Sequence, residues 1–267
     1  MSSSDPVEVL LVAGGRWHDV DYARSELLTL LTGHDVVRTR VDEDFGRVDL
    51  LAESSGGADQ VLITWTCDVR STPAQAAAIA DFVGRGGRWL ALHGSGSVID
   101  TPPPGGERVF HTPRVLGPLA EVLGSQFLAH PPITPFRVDV VDPAHPLLSG
   151  ISPFVTTDEL YVSELHEPIE VLLAASFTGS CRGFAEGQDV DGCWPVLHLK
   201  RTGAGVTAMF GLGHCRGRFD LRDQGVDDVG VIDRIAWQTP EYRVVLRRLV
   251  AWAVHGDAWP SCGTLAA

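Results

Sequence analysis

Ten histidines stand in this sequence of 267 residues, and four of them share a context. His18, His93, His130 and His214 each follow an apolar segment and sit beside glycine, proline or another residue that ends strands. Imidazole titrates near neutral pH, so such a group can shuttle protons to and from a bound substrate. Neutral imidazoles also bind Zn²⁺, and three protein ligands with one water make a catalytic centre. No ligand pair at i and i+4 of one helix supports the metal, so spacing leaves both chemistries open. One is acid–base catalysis centred on His93, with His18, His130 and His214 around it. The other is a divalent metal such as zinc held by the same four imidazoles. Asp158-Glu159 adds carboxylates. Where a strand begins there, the two point to opposite faces, so only one faces a shared pocket, and Tyr161 lies on the face of Glu159.

Other side chains carry weaker signals. Trp17 and Trp65 can stack on the apolar face of a ligand, or simply fill the core. Cys67 is a candidate nucleophile, set against an inert buried thiol. Arg16 beside Gly14-Gly15 can meet an anion, but no G-x-G-x-x-G follows, so a dinucleotide site lacks its fingerprint. His34, His166 and His255 have turn or surface contexts and no expected chemistry. His145 in "DPAHPL" is expected to brace the turn ahead of Pro146. His198 ends a strand and is a further candidate for the pocket.

"GGRWLALHGSGS", residues 86–97, reads as a short buried strand that ends in His93 at a turn of small residues. A nucleophile elbow needs small residues two positions either side of its centre, because the backbone folds sharply there. Centred on His93, those positions are Ala91 and Ser95, with Gly94 between. Centred on Ser95 they become His93 and Ser97, a poorer steric fit for a serine nucleophile. Ser95 is instead expected to touch substrate.

The elements that would position these groups alternate along the first half. Val7–Ala13, His34–Val41, Ala58–Trp65 and Arg88–His93 read as strands. Asp21–Leu31, Val48–Glu53 and a segment from Pro73 through Val83, capped by Thr72, read as helices. Buried strands separated by helices imply a parallel sheet with crossover helices, which binds ligands beyond the carboxyl ends of its strands. Further on, Arg114–Leu123 reads as a helix. Phe136–Val141, Ile169–Ala174, Pro195–Leu199 and Gly205–Phe210 read as strands, and Glu241–Val254 as a closing amphipathic helix. Residues 101–107 form a loop. No boundary marks a second domain.

Composition narrows the partners. A net charge of −13 repels nucleic acid and anionic lipid, so neither is expected. Five cysteines without a CxxC pair suggest no disulfide framework, and a cytoplasmic setting fits best. The amino-terminal apolar run is one strand long, without the basic flank of a signal peptide. No stretch approaches the roughly 20 apolar residues of a membrane span. A homo-oligomer is compatible with the sequence.

In order along the chain, "GGRWHD", "GGRWLALHGSGS", "LGSQFLAHPP", "DPAHPLLSGI", "TDELY", "FGLGHCRGRF" and "YRVVLRRLVAWAVHG" resemble the ThuA-like (trehalose utilisation) proteins. That family lies in the class I glutamine amidotransferase-like superfamily, and the resemblance spans roughly residues 6–256 of a single domain. It implies an α/β fold, a flavodoxin-like three-layer sandwich with a mostly parallel central sheet. It implies sugar catabolism, with a sugar or keto-sugar as the small-molecule partner. The family motif emphasises Glu159, which joins His93, His18, His130 and His214 as a catalytic candidate. Trp17, Trp65, Tyr161 and Ser95 are the substrate-binding candidates. The superfamily's elbow cysteine is replaced by His93, so glutaminase chemistry is not expected. The loop 100–112 departs from the aromatic-rich segment the resemblance implies. An enzyme isomerising or cleaving a sugar and a non-catalytic binding protein on a retired amidotransferase fold both stand as readings.

Overall fold

The strand β3 (Gln60–Cys67) is buried at every residue, as a strand covered on both faces must be. The computed structural model describes residues 6–51, 59–102 and 109–256. β1 (Val7–Gly15), β2 (Val37–Asp42), β4 (Arg88–Leu92) and β11 (Gly205–Phe210) run parallel with β3, in the order β2-β1-β3-β4-β11. Helices α1 (Val20–Leu31) and α2 (Pro73–Gly84) make the crossovers. The Asp19 carboxylate caps α1 through the Tyr22 N–H. Thr72 and Gln75 close a capping box on α2 with Pro73 in its first turn, a start worth about 1 kcal/mol.

Alternating side chains divide the core into two layers. Val9, Leu11, Ile63 and Leu90 pack on one face against α1 and the closing helix α5 (Pro240–His255). Leu10, Val12, Leu62 and Trp89 pack on the other against α2 and the short helix α3 (Pro118–Leu123). On α5, Leu246, Leu249, Val250 and Ala253 form the expected apolar stripe and are buried. Helices thus cover both faces of one sheet, the three-layer α/β arrangement.

The sheet then changes character. β10 (Val190–Thr202), β9 (Glu170–Gly179), β6 (Thr134–Val140) and β7 (Phe154–Asp158) extend it beyond β11 with antiparallel pairing throughout. The nine-stranded sheet is therefore mixed, parallel in five strands and antiparallel across the remainder, where a mostly parallel sheet was expected. Short connections explain this, because antiparallel neighbours need no crossover helix. A separate pair, β5 (Ser125–Ala129) with β8 (Val162–Leu165), had no counterpart among the expected elements. Helix α3 starts only at Pro118, after Gly117, so Arg114–Val115 are not helical as expected. Val48–Leu51 forms a 3₁₀ turn, while Glu53 and Ala58 lie outside the described residues, as does most of the 101–107 loop. A four-residue helix, α4 (Ile235–Gln238), precedes α5. Among the described residues, no helix is long and apolar enough to cross a membrane.

Candidate active site

Three of the four histidines follow carboxyl ends of parallel strands. His93 begins the 3₁₀ turn after β4 with φ of +46°, a conformation that side chains beyond Gly rarely take. Gly94 makes the turn possible, since a Cβ there would stand 2.4 Å from the Thr66 carbonyl oxygen. The small residues read as an elbow do form one. Ser95, however, lies inside the turn. Its hydroxyl is 2.7 Å from the Leu92 carbonyl and 2.7 Å from the Thr64 hydroxyl, so it is a structural brace and is not among the residues that line the cavity of the site.

His18 follows β1 through another sharp turn. Gly15 sits at φ +108° with the Cys67 carbonyl where a Cβ would be, and Trp17 is at φ +71°. His214 follows β11. The Asp158 carboxylate accepts from the N–H groups of Gly213 (2.8 Å), His214 (3.2 Å) and Glu159 (2.7 Å). Asp158 closes β7 rather than opening a strand, so the expected alternation does not apply beyond it. Its carboxylate staples the loop bearing His214 to the loop bearing Glu159. Burial pushes Asp158 up to about 7, against the pull of His214 and these backbone donors.

Glu159 is the centre of the arrangement. Its Oε1 is 3.1 Å from His214 Nδ1, 3.7 Å from His130 Nε2 and 3.8 Å from Arg216 Nη2. Its Oε2 is 3.5 Å from His93 Nε2 and 3.9 Å from His18 Nε2. Burial opposes its charge, but His130, His214 and His18 outweigh burial and hold the carboxyl well below its usual range. Burial drives His18 well below the usual imidazole value and His93 down to about 4, so both are neutral at pH 7. Burial also works against charge on His214, yet Glu159 raises it overall.

His93 Nδ1 is 3.1 Å from the Gly211 carbonyl, which only accepts. The proton therefore sits on Nδ1, and Nε2 presents its lone pair to the cluster. The Tyr161 hydroxyl is 3.2 Å from that Nε2 and 3.5 Å from Glu159 Oε2. Tyr161 reaches the side of Glu159 although residues 159–161 lie between β7 and β8, so the strand alternation that was expected to place it there is not the cause.

These groups form the floor of a cavity of about 810 Å³. His18, Glu159 and Tyr161 are exposed to it, with His130 and Arg216 beside them. Trp17, Phe110, Phe127 and Phe184 supply aromatic walls. His93 and His214 lie behind that floor, so His93 is not the group that meets a substrate first. Trp65 is also behind it, stacked on His93 at 5.6 Å between ring centroids, and is a packing residue rather than a sugar platform. His198 is elsewhere, with Nε2 2.9 Å from the Leu123 carbonyl. His145 braces its turn, its Nδ1 accepting from the Leu147 N–H. Cys67 lines the cavity, but burial pushes its thiol well up, which removes the thiolate a nucleophile needs. Arg16 lines it too, paired with Asp68.

The four imidazoles expected to share a metal are not one ligand set. Atoms of His18, His93, Glu159 and His214 lie within 4.8 Å of one another, and His130 stands outside that group. Sequence reasoning missed Arg216, Asp158 as a staple, and Asp233, whose Oδ2 is 3.6 Å from His214 Nε2. Arg216 had a signal, two residues after His214 in "FGLGHCRGRF"; Asp233 had none.

The sequence model of the family ThuA, described as trehalose utilisation, matches residues 8–229. No curated protein gives a significant match. Among solved structures, a ThuA-like protein from Bacteroides uniformis superposes with a TM-score of 0.58 at 17% identity, covering 94% of each chain. A ThuA-like protein from Parabacteroides merdae gives 0.58 at 16% identity, covering 94% of this chain and 91% of that one. A cytoplasmic protein from Salmonella typhimurium LT2 gives 0.51 at 14% identity, covering 91% of this chain and 98% of that one. At these identities the likeness concerns the fold.

Proposed function

This chain belongs to the ThuA (trehalose utilisation) family, and on that premise we propose that it is an enzyme transforming a sugar or keto-sugar by proton transfer. The observation that carries the proposal is the buried, ionised Glu159, ringed by four imidazoles at the floor of an aromatic-walled cavity. Placing an anion and several imidazoles out of water costs stability unless they pair with one another, and such perturbed clusters concentrate at functional sites. Trp17 and the phenylalanine walls offer apolar faces for the C–H side of a pyranose. Polar contacts to its hydroxyls fall to His18, His130, Tyr161 and Arg216.

The division of charge suits proton transfer. Neutral His18 accepts a proton, and the Tyr161 hydroxyl, kept protonated by burial and by Glu159, donates one. Arg216 offsets negative charge that develops on a substrate oxygen. His93 and His214 act through their neighbours, as positioning residues. The unpaired cysteines among the described residues suit a cytoplasmic reaction.

The test is a panel of mono- and disaccharides and their keto derivatives, incubated with the protein in D₂O and followed by NMR. Turnover or C–H exchange by the wild type, lost in Glu159→Gln, is the expected result. The second reading, a sugar-binding protein without turnover, draws on His93 occupying the elbow with its ring turned behind the floor. Saturable binding with neither turnover nor exchange on any panel member would replace the first reading by the second.

A further inference from the structure

We propose that His18, His93, Glu159 and His214 bind one first-row divalent transition-metal ion at the floor of the cavity. The proposal rests on the enzymatic reading above for the use of the ion and modifies it in one respect, since an ion would take the His18 lone pair assigned there to proton acceptance; the binding itself is a separate matter. Several observations converge on it. One donor atom from each of the four side chains lies within 4.8 Å of the others, and all four residues are buried. Ligands about 2.0–2.1 Å from a tetrahedral ion are about 3.4 Å apart. The measured separations include 3.2 Å between His18 Nε2 and His93 Nε2, and 3.5 Å between His93 Nε2 and Glu159 Oε2.

Hydrogen bonding leaves the cluster poorly satisfied. Both ring nitrogens of His214 and Nδ1 of His18 lack a hydrogen-bond partner, although His214 is 1% and His18 is 7% exposed. His214 Nδ1 is near Glu159, but not in hydrogen-bonding alignment. On His93 Nε2, one lone pair faces both His18 Nε2 and the Tyr161 hydroxyl. Buried polar atoms seldom go unpaired, and a cation taking lone pairs from His18 Nε2, His93 Nε2 and His214 Nδ1 would satisfy the nitrogens that face the cluster, with the protons left on the far nitrogens.

The surroundings hold the ligands as metal sites require. His93 is oriented by the Gly211 carbonyl on its far nitrogen. His214 has the Asp233 carboxylate 3.6 Å from its far nitrogen, too long for a hydrogen bond but close enough to favour the proton on that nitrogen. The donor set of imidazoles and one carboxylate selects the class of ion. It suits zinc, iron, cobalt, nickel or manganese better than magnesium or calcium, which take oxygen ligands. His18 and Glu159 line the cavity, so the ion would be reachable from it, as a catalytic rather than a closed structural site must be.

The experiment uses the full chain, stripped with a chelator, dialysed, and titrated with Zn²⁺, Mn²⁺, Fe²⁺ (anaerobically), Co²⁺ and Ni²⁺. Bound metal is measured by elemental analysis, with thermal unfolding alongside. The expected result is one equivalent of at least one ion, with a raised Tm. Glu159→Gln and His214→Gln should weaken that affinity at least tenfold. Asp233→Asn should weaken it roughly 10–100-fold, and Asp228→Asn, whose carboxylate pairs with Arg218 at the surface, should not change it. Uptake of none of the five ions by the folded wild type overturns the proposal, as does unaltered affinity in both Glu159→Gln and His214→Gln. The wild-type titration decides if either variant fails to fold. Metal bound without turnover of any sugar counts against the reaction alone, and turnover by a protein that binds no metal counts against the metal alone.

Discussion

Two groups of histidines in this molecule have similar ring geometry and different surroundings. His18 and His93 lie tilted against each other, 4.8 Å between centroids, beyond the carboxyl ends of β1 and β4. His34 and His255 sit 5.0 Å apart where β2 begins and α5 ends, with His34 Nδ1 3.0 Å from His255 Nε2. The first pair is buried against the ionised Glu159 and reaches an aromatic cavity. The second is half-buried, pairs only within itself through those nitrogens, and lines neither described cavity. Contact between imidazoles is thus common to both, and the buried carboxylate and the cavity are what separate them. An imidazole cluster gains chemistry from a fixed opposite charge and from room for a ligand.

Removing the carboxylate is the strongest way to break the contrast. Glu159→Gln should lower kcat/KM for any sugar the protein transforms by at least about 100-fold, the scale of disabling the proton-transfer groups that its charge holds in place. Circular dichroism should show the fold retained, and activity kept within tenfold would remove Glu159 from the centre of the site.

The next effect is in stability against pH. His93 has its folded-state value lowered to about 4, against 6.5 for a free imidazole. Its contribution is present above 6.5 and is lost as pH falls through that value towards 4, because the unfolded chain takes up the proton first. The loss amounts to roughly 3 kcal/mol. His93→Asn tolerates the positive φ and should remove this part of the dependence, read by urea unfolding at pH 7 and pH 4.5. Equal slopes in wild type and variant would show that His93 does not carry it. For His34 the direction is the same, from partial burial and the neighbouring His255.

The two tryptophans sharpen the contrast between lining and backing. Trp17→Ala should raise KM about five- to tenfold, with little change in kcat, through lost ring stacking. Trp65→Phe should leave KM unchanged and lower stability by about 1 kcal/mol. A KM effect from Trp65 and none from Trp17 would invert the assignment of the cavity wall. The smallest effect is expected at the second histidine pair. His255→Gln should leave turnover unaltered and change stability by about 0.5 kcal/mol or less in chemical unfolding.

Much of the parallel half was legible because its signals are local. Thr72-Pro73 announces α2, the apolar run before Gly14 announces β1, and small residues around His93 announce the turn that gives it a positive φ. The antiparallel half was read less well. Its β9 and β10 run far past the apolar cores that marked them, because edge-ward strands are half-exposed and their polar ends carry no pattern. β5 and β8 are short and pair across a long sequence gap, so nothing nearby signals them.

Residue types and strand ends were enough to nominate His18, His93, His130 and His214, while the choice of Glu159 over Asp158 came from the family resemblance. A chemical group's identity and its place after a strand are properties of the chain read in order. Which of them share a ligand sphere, which face the cavity and which stand behind it were decided by the fold. Glu159 draws its environment from four segments remote along the polymer, and electrostatic coupling depends on distances of a few ångströms that no spacing in sequence encodes. For the same reason Trp65 and Ser95 became supports, while Arg216 and Asp233 entered the site from a loop whose approach only the packed molecule defines.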